Sequence, residues 1–291
     1  MLNTPFTRED RVDENALRLN VIEALKAGVA GFLVPAMASE VQKLSKQEKL
    51  KIVDAVLDEV AGQVPVFAGT AAGSAKESGE ILKAFQNLGC QHFLIQLPYV
   101  SEDQFKTEFY RLADLGPKVI MLQDWDAQGD GLSDKLILEL FENVPAFRCL
   151  KVETVPAGVK YSRILNLTQG KLHVSGGWAV TQMPEALQRG VHAFMPTAMH
   201  WIYTRIFNSY RQGNIREAVD LFHNILPVLA FSNQHLDISI HFFKRLLWKQ
   251  GIYPTPNVRE PVLLFDHTHN EIADKLIDRI IEVEKKIKDK G

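Results

Sequence analysis

At 291 residues and 46% hydrophobic, the chain is long enough to bury a large core, and a barrel of this length is routinely one domain. Its 33 basic and 35 acidic side chains leave a formal net charge of −2, which argues against nucleic acid or another polyanion as a partner. Cys90 and Cys149 form no CxxC pair or disulfide framework, no apolar run reaches membrane-spanning length, and the start lacks a signal-peptide core. The expectation is a soluble, cytoplasmic protein with no membrane partner.

Taken in chain order, the periodicity predicts an amphipathic helix over 16–27, closed by Gly28, then a short apolar strand over 31–34. A helix over 46–60 enters through Ser45, with Glu48 three residues on completing a capping box. A strand over 64–68, a helix over 75–88, a strand over 92–96 and a helix over 102–115 follow. Next come a strand over 118–123, a helix over 134–142, a strand over 148–154 and a helix around 159–165. A strand over 172–175, a short helix over 183–188 and a last strand over 192–195 complete the alternation. After about residue 200 the strands stop, and 201–211, 215–247 and 270–288 read as helices.

Seven strands in βα alternation argue for α/β architecture, and for a (β/α)8 TIM barrel over a doubly wound sheet. Neither GxGxxG nor a P-loop follows any strand, which weakens a nucleotide-binding reading. An eighth strand has only residues 1–6 available, and Pro5 cannot donate to a ladder. The first strand is therefore expected to be short or missing. The domain reading is a barrel over 1–200 with a C-terminal helical region, 201–291, packed on it.

One lysine stands out. Along the strand around it, Lys151 and Glu153 share a face, opposite Leu150 and Val152. In a parallel barrel that face lines the interior near the carboxyl ends of the strands, where such barrels carry their active sites. An amine withdrawn from water there is a nucleophile suited to Schiff-base chemistry. The alternative is a lysine that reaches solvent from a strand end, or simply pairs with a carboxylate.

Several local sequences combine with Lys151. They are Thr4-Pro5-Phe6-Thr7, Ser39-Glu40 with Leu44-Ser45-Lys46-Gln47-Glu48-Lys49 after it, Val64-Pro65-Val66-Phe67-Ala68-Gly69, Pro98-Tyr99 and Ser175-Gly176-Gly177. In this order and spacing the chain, from Thr4 to about residue 265, resembles the pyruvate-aldolase superfamily of dihydrodipicolinate synthase and N-acetylneuraminate lyase. The resemblance implies a class I lyase, carbon–oxygen or carbon–carbon, in which Lys151 forms a Schiff base with a small-molecule 2-keto acid. It implies no cofactor beyond that covalent imine, and a homo-oligomer, tetramer or dimer.

The departures from the family pattern carry information. The carboxylate-binding loop, usually Gly-Thr-Thr-Gly-Glu, reads Ala36-Met37-Ala38-Ser39-Glu40, which leaves Ala38, Ser39 and Glu40 to bind through backbone N–H groups and the Ser39 hydroxyl. Gln123-Asp124 stands where the family has Tyr-Asn, and Gln123 cannot act as acid or base. Tyr99 is followed by Val100 where a paired tyrosine would continue, and Asp126-Ala127-Gln128-Gly129 lacks the synthase arginine. Gln123-Asp124 with Lys151-Val152-Glu153-Thr154 resembles the branch of 2-keto-3-deoxy-sugar-acid dehydratases, although Trp125-Asp126 replaces its usual small residue and proline.

Other candidates have two readings each. Glu153 is a base or the counter-ion of Lys151. Asp124 binds a substrate hydroxyl or caps the following loop. Trp178, after the strand end at Gly176, walls the pocket or packs. His267 and His269 lack further ligands, so no metal is expected. The functional reading is dehydration of a 2-keto-3-deoxy sugar acid. The alternatives are a pyruvate-releasing aldolase, a dihydrodipicolinate synthase-like enzyme, and a barrel that binds 2-keto acids without turnover.

Overall fold

The computed structural model describes residues 1–177 and 179–289. In chain order the elements are α1 (Glu14–Lys26), β1 (Phe32–Leu33), α2 (Lys46–Val60), β2 (Val66–Gly69), α3 (Ala75–Asn87), β3 (His92–Ile95), α4 (Glu102–Ala113), β4 (Val119–Asp126) and α5 (Asp134–Asn143). They continue with β5 (Phe147–Thr154), α6 (Ala157–Leu167), β6 (His173–Gly176), α7 (Met183–Gln188), β7 (Ala193–Phe194), α8 (His200–Arg211), α9 (Ile215–Ser232), α10 (Leu236–Lys249) and α11 (His267–Lys288). None of these helices is long and apolar enough to cross a membrane. The chain divides into two compact units, one of residues 65–195 and one of residues 1–64 with 196–291. The C-terminal helices thus group with the first 64 residues.

The 65–195 unit holds β2 to β7, each paired in parallel with the next. One face of these strands is apolar. Ile120, Leu122, Leu150, Val152 and Val174 pack against Phe105 and Phe109 of α4, Leu136 and Leu140 of α5, and Ile164 of α6, all buried. Each such side chain contributes roughly 1.5–3 kcal/mol on leaving water. By alternation the other face receives Met121, Gln123, Lys151 and Ser175. The helices start where local chemistry predicts, with the Ser74, Ser101 and Ser133 hydroxyls each accepting a first-turn N–H.

The other unit joins α1, β1 and α2 to α8 through α11. Ser45 and Glu48 form the expected capping box at α2. Seven strands are present among the described residues, where a (β/α)8 barrel has eight. Residues 1–6 contribute no strand: Leu2 N–H donates to the Leu33 carbonyl at 3.2 Å, the terminal amine to the Pro196 carbonyl at 2.8 Å, and Phe6 makes an isolated antiparallel bridge with Val12. The helix expected over 215–247 is two helices. His235 ends the run by accepting the Asp237 N–H on Nδ1 at 3.1 Å, acting as N-cap of α10.

Candidate active site

Lys151 lies mid-strand in β5, 2% exposed, with its Nζ 2.8 Å from Glu153 Oε2. The same Glu153 oxygen accepts a hydrogen bond from the Gln123 carboxamide of β4. Parallel pairing sets Gln123 beside Lys151 on one side and Ser175 beside it on the other. The Ser175 hydroxyl is buried and donates to the Leu150 carbonyl at 3.3 Å. The two-residue strand repeat thus puts an amine, a carboxylate and a carboxamide on one face of neighbouring strands. Such an arrangement can supply a nucleophilic amine with an adjacent proton acceptor, a carboxylate held by a third group. A solvated lysine at a strand end, the bland reading, does not describe this residue.

Two glycines close the group at the end of β6. Gly176 pairs with Val152, and Gly177 N–H donates to the Val152 carbonyl at 3.2 Å. Gly177 sits directly against the Glu153 side chain. Sequence reasoning quoted this residue as part of a motif but assigned it no role. Tyr99, in the segment after β3, is 57% exposed with its ring 6.0 Å from that of Phe105. Buried Tyr161 of α6 has no hydrogen-bond partner for its hydroxyl among the described residues, and its pKa is pushed up by burial and by the charges of Glu153 and Glu185.

Asp124 belongs to the opposite face of β4, with Ile120 and Leu122. It is fully buried, accepts the Leu132 N–H at 2.8 Å, and pairs with Lys160 of α6 at 2.5 Å. Burial pushes its carboxyl up, against the pull of Lys160. Of its two expected roles, capping the following loop is the one this geometry carries; the alternation sets it away from Gln123 and Lys151. Lys160 also donates to the Asp130 and Leu132 carbonyls, so one buried ammonium pins the whole 126–132 loop. Sequence reading missed Lys160, which lies nine residues beyond Lys151 on a helix with no local motif.

Ala38, Ser39 and Glu40 lie in the unit that contains both termini. Ser39 ends a 3-10 turn, Met37–Ser39, and its buried hydroxyl accepts the Ala36 N–H at 3.0 Å and donates to the Leu2 carbonyl at 2.5 Å. Glu40, with φ +58°, is buried against the Lys244 ammonium and accepts the Arg259 N–H at 2.9 Å. Burial draws the Lys244 amine down to about 8 despite the Glu40 charge. The side chains of Ser39 and Glu40 are therefore engaged within their own unit. Trp178 lies outside the described residues. Among the described residues no cluster of three or more His, Cys, Asp or Glu could hold a metal ion.

A buried strand lysine paired to a carboxylate in an α/β chain fits one class of protein, the lyases that work through a lysine Schiff base. The chain belongs to the dihydrodipicolinate synthetase family, whose model matches residues 1–280. Enzymes of this family form a covalent lysine–pyruvate imine and use no external cofactor. The 4-hydroxy-tetrahydrodipicolinate synthase of Methanopyrus kandleri is 25% identical over 267 residues, 89% of each chain. That of Oceanobacillus iheyensis is 24% identical over 235 residues, 78% of each. Among solved structures, the 4-hydroxy-tetrahydrodipicolinate synthase of Methylacidiphilum fumariolicum SolV superposes with a TM-score of 0.87 at 19% identity, over 99% of this chain and 96% of that one. A prophage protein of the dihydrodipicolinic acid synthase family from E. coli K12, solved in complex with pyruvate, gives 0.85 at 20% identity over 96% of each. The likeness to these structures extends one family fold along nearly the whole chain.

Proposed function

We propose that the chain dehydrates a 2-keto-3-deoxy sugar acid through an imine on Lys151. The Lys151 amine, after giving a proton to Glu153, attacks the C2 carbonyl, and water leaves as the protonated imine forms. The imine draws electrons from C3, which loses a proton to give an enamine. The enamine then expels the C4 hydroxyl, which leaves as water on taking a proton. Hydrolysis of the imine returns the first water and frees the lysine, so the net change is loss of one water. Gln123 moves no proton and holds the Glu153 carboxylate toward the amine.

The observation that carries this reading is the carboxamide of Gln123 on the Glu153–Lys151 pair. Cleavage of the C3–C4 bond needs a group that deprotonates the C4 hydroxyl, and Gln123 cannot do so. The names of the relatives favour a second reading, condensation of pyruvate with an aspartate-derived aldehyde. Residues 125–133 offer no arginine or lysine to a second carboxylate, which weighs against it. The test is a panel of 2-keto-3-deoxy acids with products separated by mass. A product lighter by one water supports dehydration. Release of pyruvate establishes an aldolase, and condensation of pyruvate with the aldehyde establishes the synthase.

A further inference from the structure

Trp125 is the next residue of β4 on the face of Gln123, because side chains two apart on a strand point the same way. Pairing with β5 sets Trp125 beside Glu153, as it sets Gln123 beside Lys151. Trp125 therefore stands about 6–7 Å nearer the carboxyl end of the strands than the lysine. Trp125 is 52% exposed, although Gln123 two residues earlier is buried. A substrate held through C2 on Lys151 and extended toward the strand ends brings its distal carbons to this ring.

The chemistry around the ring selects among such tails. Residues 125–133 contain Asp126 and Asp130 and no basic residue. Asp126 accepts the N–H groups of Gln128 and Gly131, which hold its carboxyl below the usual range. The cations at this loop are already engaged, Lys160 with Asp124 and the Asp130 and Leu132 carbonyls, and Arg163 with Asp130 and Asp134. A terminal carboxylate would meet negative charge here. A polyol tail would not: its polarised C–H groups suit the negative face of an aromatic ring, and its hydroxyls can donate to carboxylates.

We infer that Trp125 is a specificity-determining residue that takes the C–H face of a neutral, hydroxylated tail, so that the substrate is a 2-keto monocarboxylate and not a dicarboxylate. The inference rests on the imine reading above. Borohydride trapping tests both, with pyruvate, a five-carbon 2-keto-3-deoxy aldonate and a six-carbon 2-keto-3-deoxy aldarate as probes. The readout is the concentration of each that gives half-maximal adduct. The native protein is expected to trap the aldonate at a concentration at least about tenfold below the aldarate. In Trp125→Ala the aldonate-to-pyruvate ratio should rise about tenfold, with partial recovery in Trp125→Phe. A ratio in Trp125→Ala within about twofold of native, or a native preference for the aldarate, overturns the role of Trp125. Failure of the native protein to trap pyruvate overturns the imine reading itself.

Discussion

Gly177 lies so close to Glu153 that a side chain does not fit between them: a Cβ there would stand 2.2 Å from Glu153 Oε1 and 2.3 Å from its Cδ and Cγ. The demand is for space, since Gly177 is not among the glycines of positive φ. Gly177→Ala must push the carboxylate off Lys151 and Gln123. Steady-state kinetics should show kcat lowered at least about tenfold, because small displacements of a reacting group are costly. The melting midpoint should move by less than about 4 °C. Native kcat in this variant would mean that the placement of Glu153 does not limit the reaction.

The Asp124–Lys160 pair is buried on the apolar side of β4, and its contribution to stability can be measured by unfolding. Lys160→Met strands Asp124 among apolar side chains and should cost about 3–5 kcal/mol in urea unfolding. Asp124→Asn in the same background should recover part of that loss, because the charge is gone. A cycle with additive single and double effects would show the two residues to be uncoupled.

Gln123→Glu places a second carboxylate against Glu153. Like charges hold protons, so the acidic limb of the kcat/KM profile should shift to higher pH, since Glu153 must be ionised to accept a proton. Gln123→Ala should lower activity without that shift. Identical pH profiles for native and Gln123→Glu would argue that Glu153 is a counter-ion only.

Much of this was legible before any coordinates. The strand repeat alone paired Lys151 with Glu153, and Ser45 with Glu48 marked the start of α2 to the residue. The face of Asp124 was legible too, since it shares the parity of Leu122 and Ile120, which are core positions in β4. Lys160 was not legible, because its partners, the Asp124 carboxylate and two loop carbonyls, are brought to it by tertiary folding. Nor was the break between α9 and α10, where Asn233-Gln234-His235 carries no glycine or proline and a histidine serves as cap. The closeness of Gly177 to Glu153 depends on two strands meeting, which no local pattern encodes.

Stability should also respond to Glu284 of α11, which is buried, accepts from the Gln250 carboxamide at 2.6 Å, and is raised by burial to about 7. A carboxyl raised in the folded state stabilises it fully below the unfolded value of about 4.5, and that contribution is lost as pH climbs through 7. Between pH 5 and 8 the loss should amount to roughly 2–3 kcal/mol. Urea unfolding at both pH values measures it, and Glu284→Gln should flatten the difference. An equal pH dependence in the variant would assign the titration elsewhere.

The proposed chemistry stands on Lys151 as the amine that forms the imine. The most direct measurement is borohydride reduction in the presence of pyruvate, with the modified peptide located by mass spectrometry in native protein and in Lys151→Arg. Arginine keeps the positive charge and cannot form the imine. One stable adduct on Lys151 is expected in the native protein and none in the variant. An adduct on another lysine, or an undiminished adduct in Lys151→Arg, would contradict it.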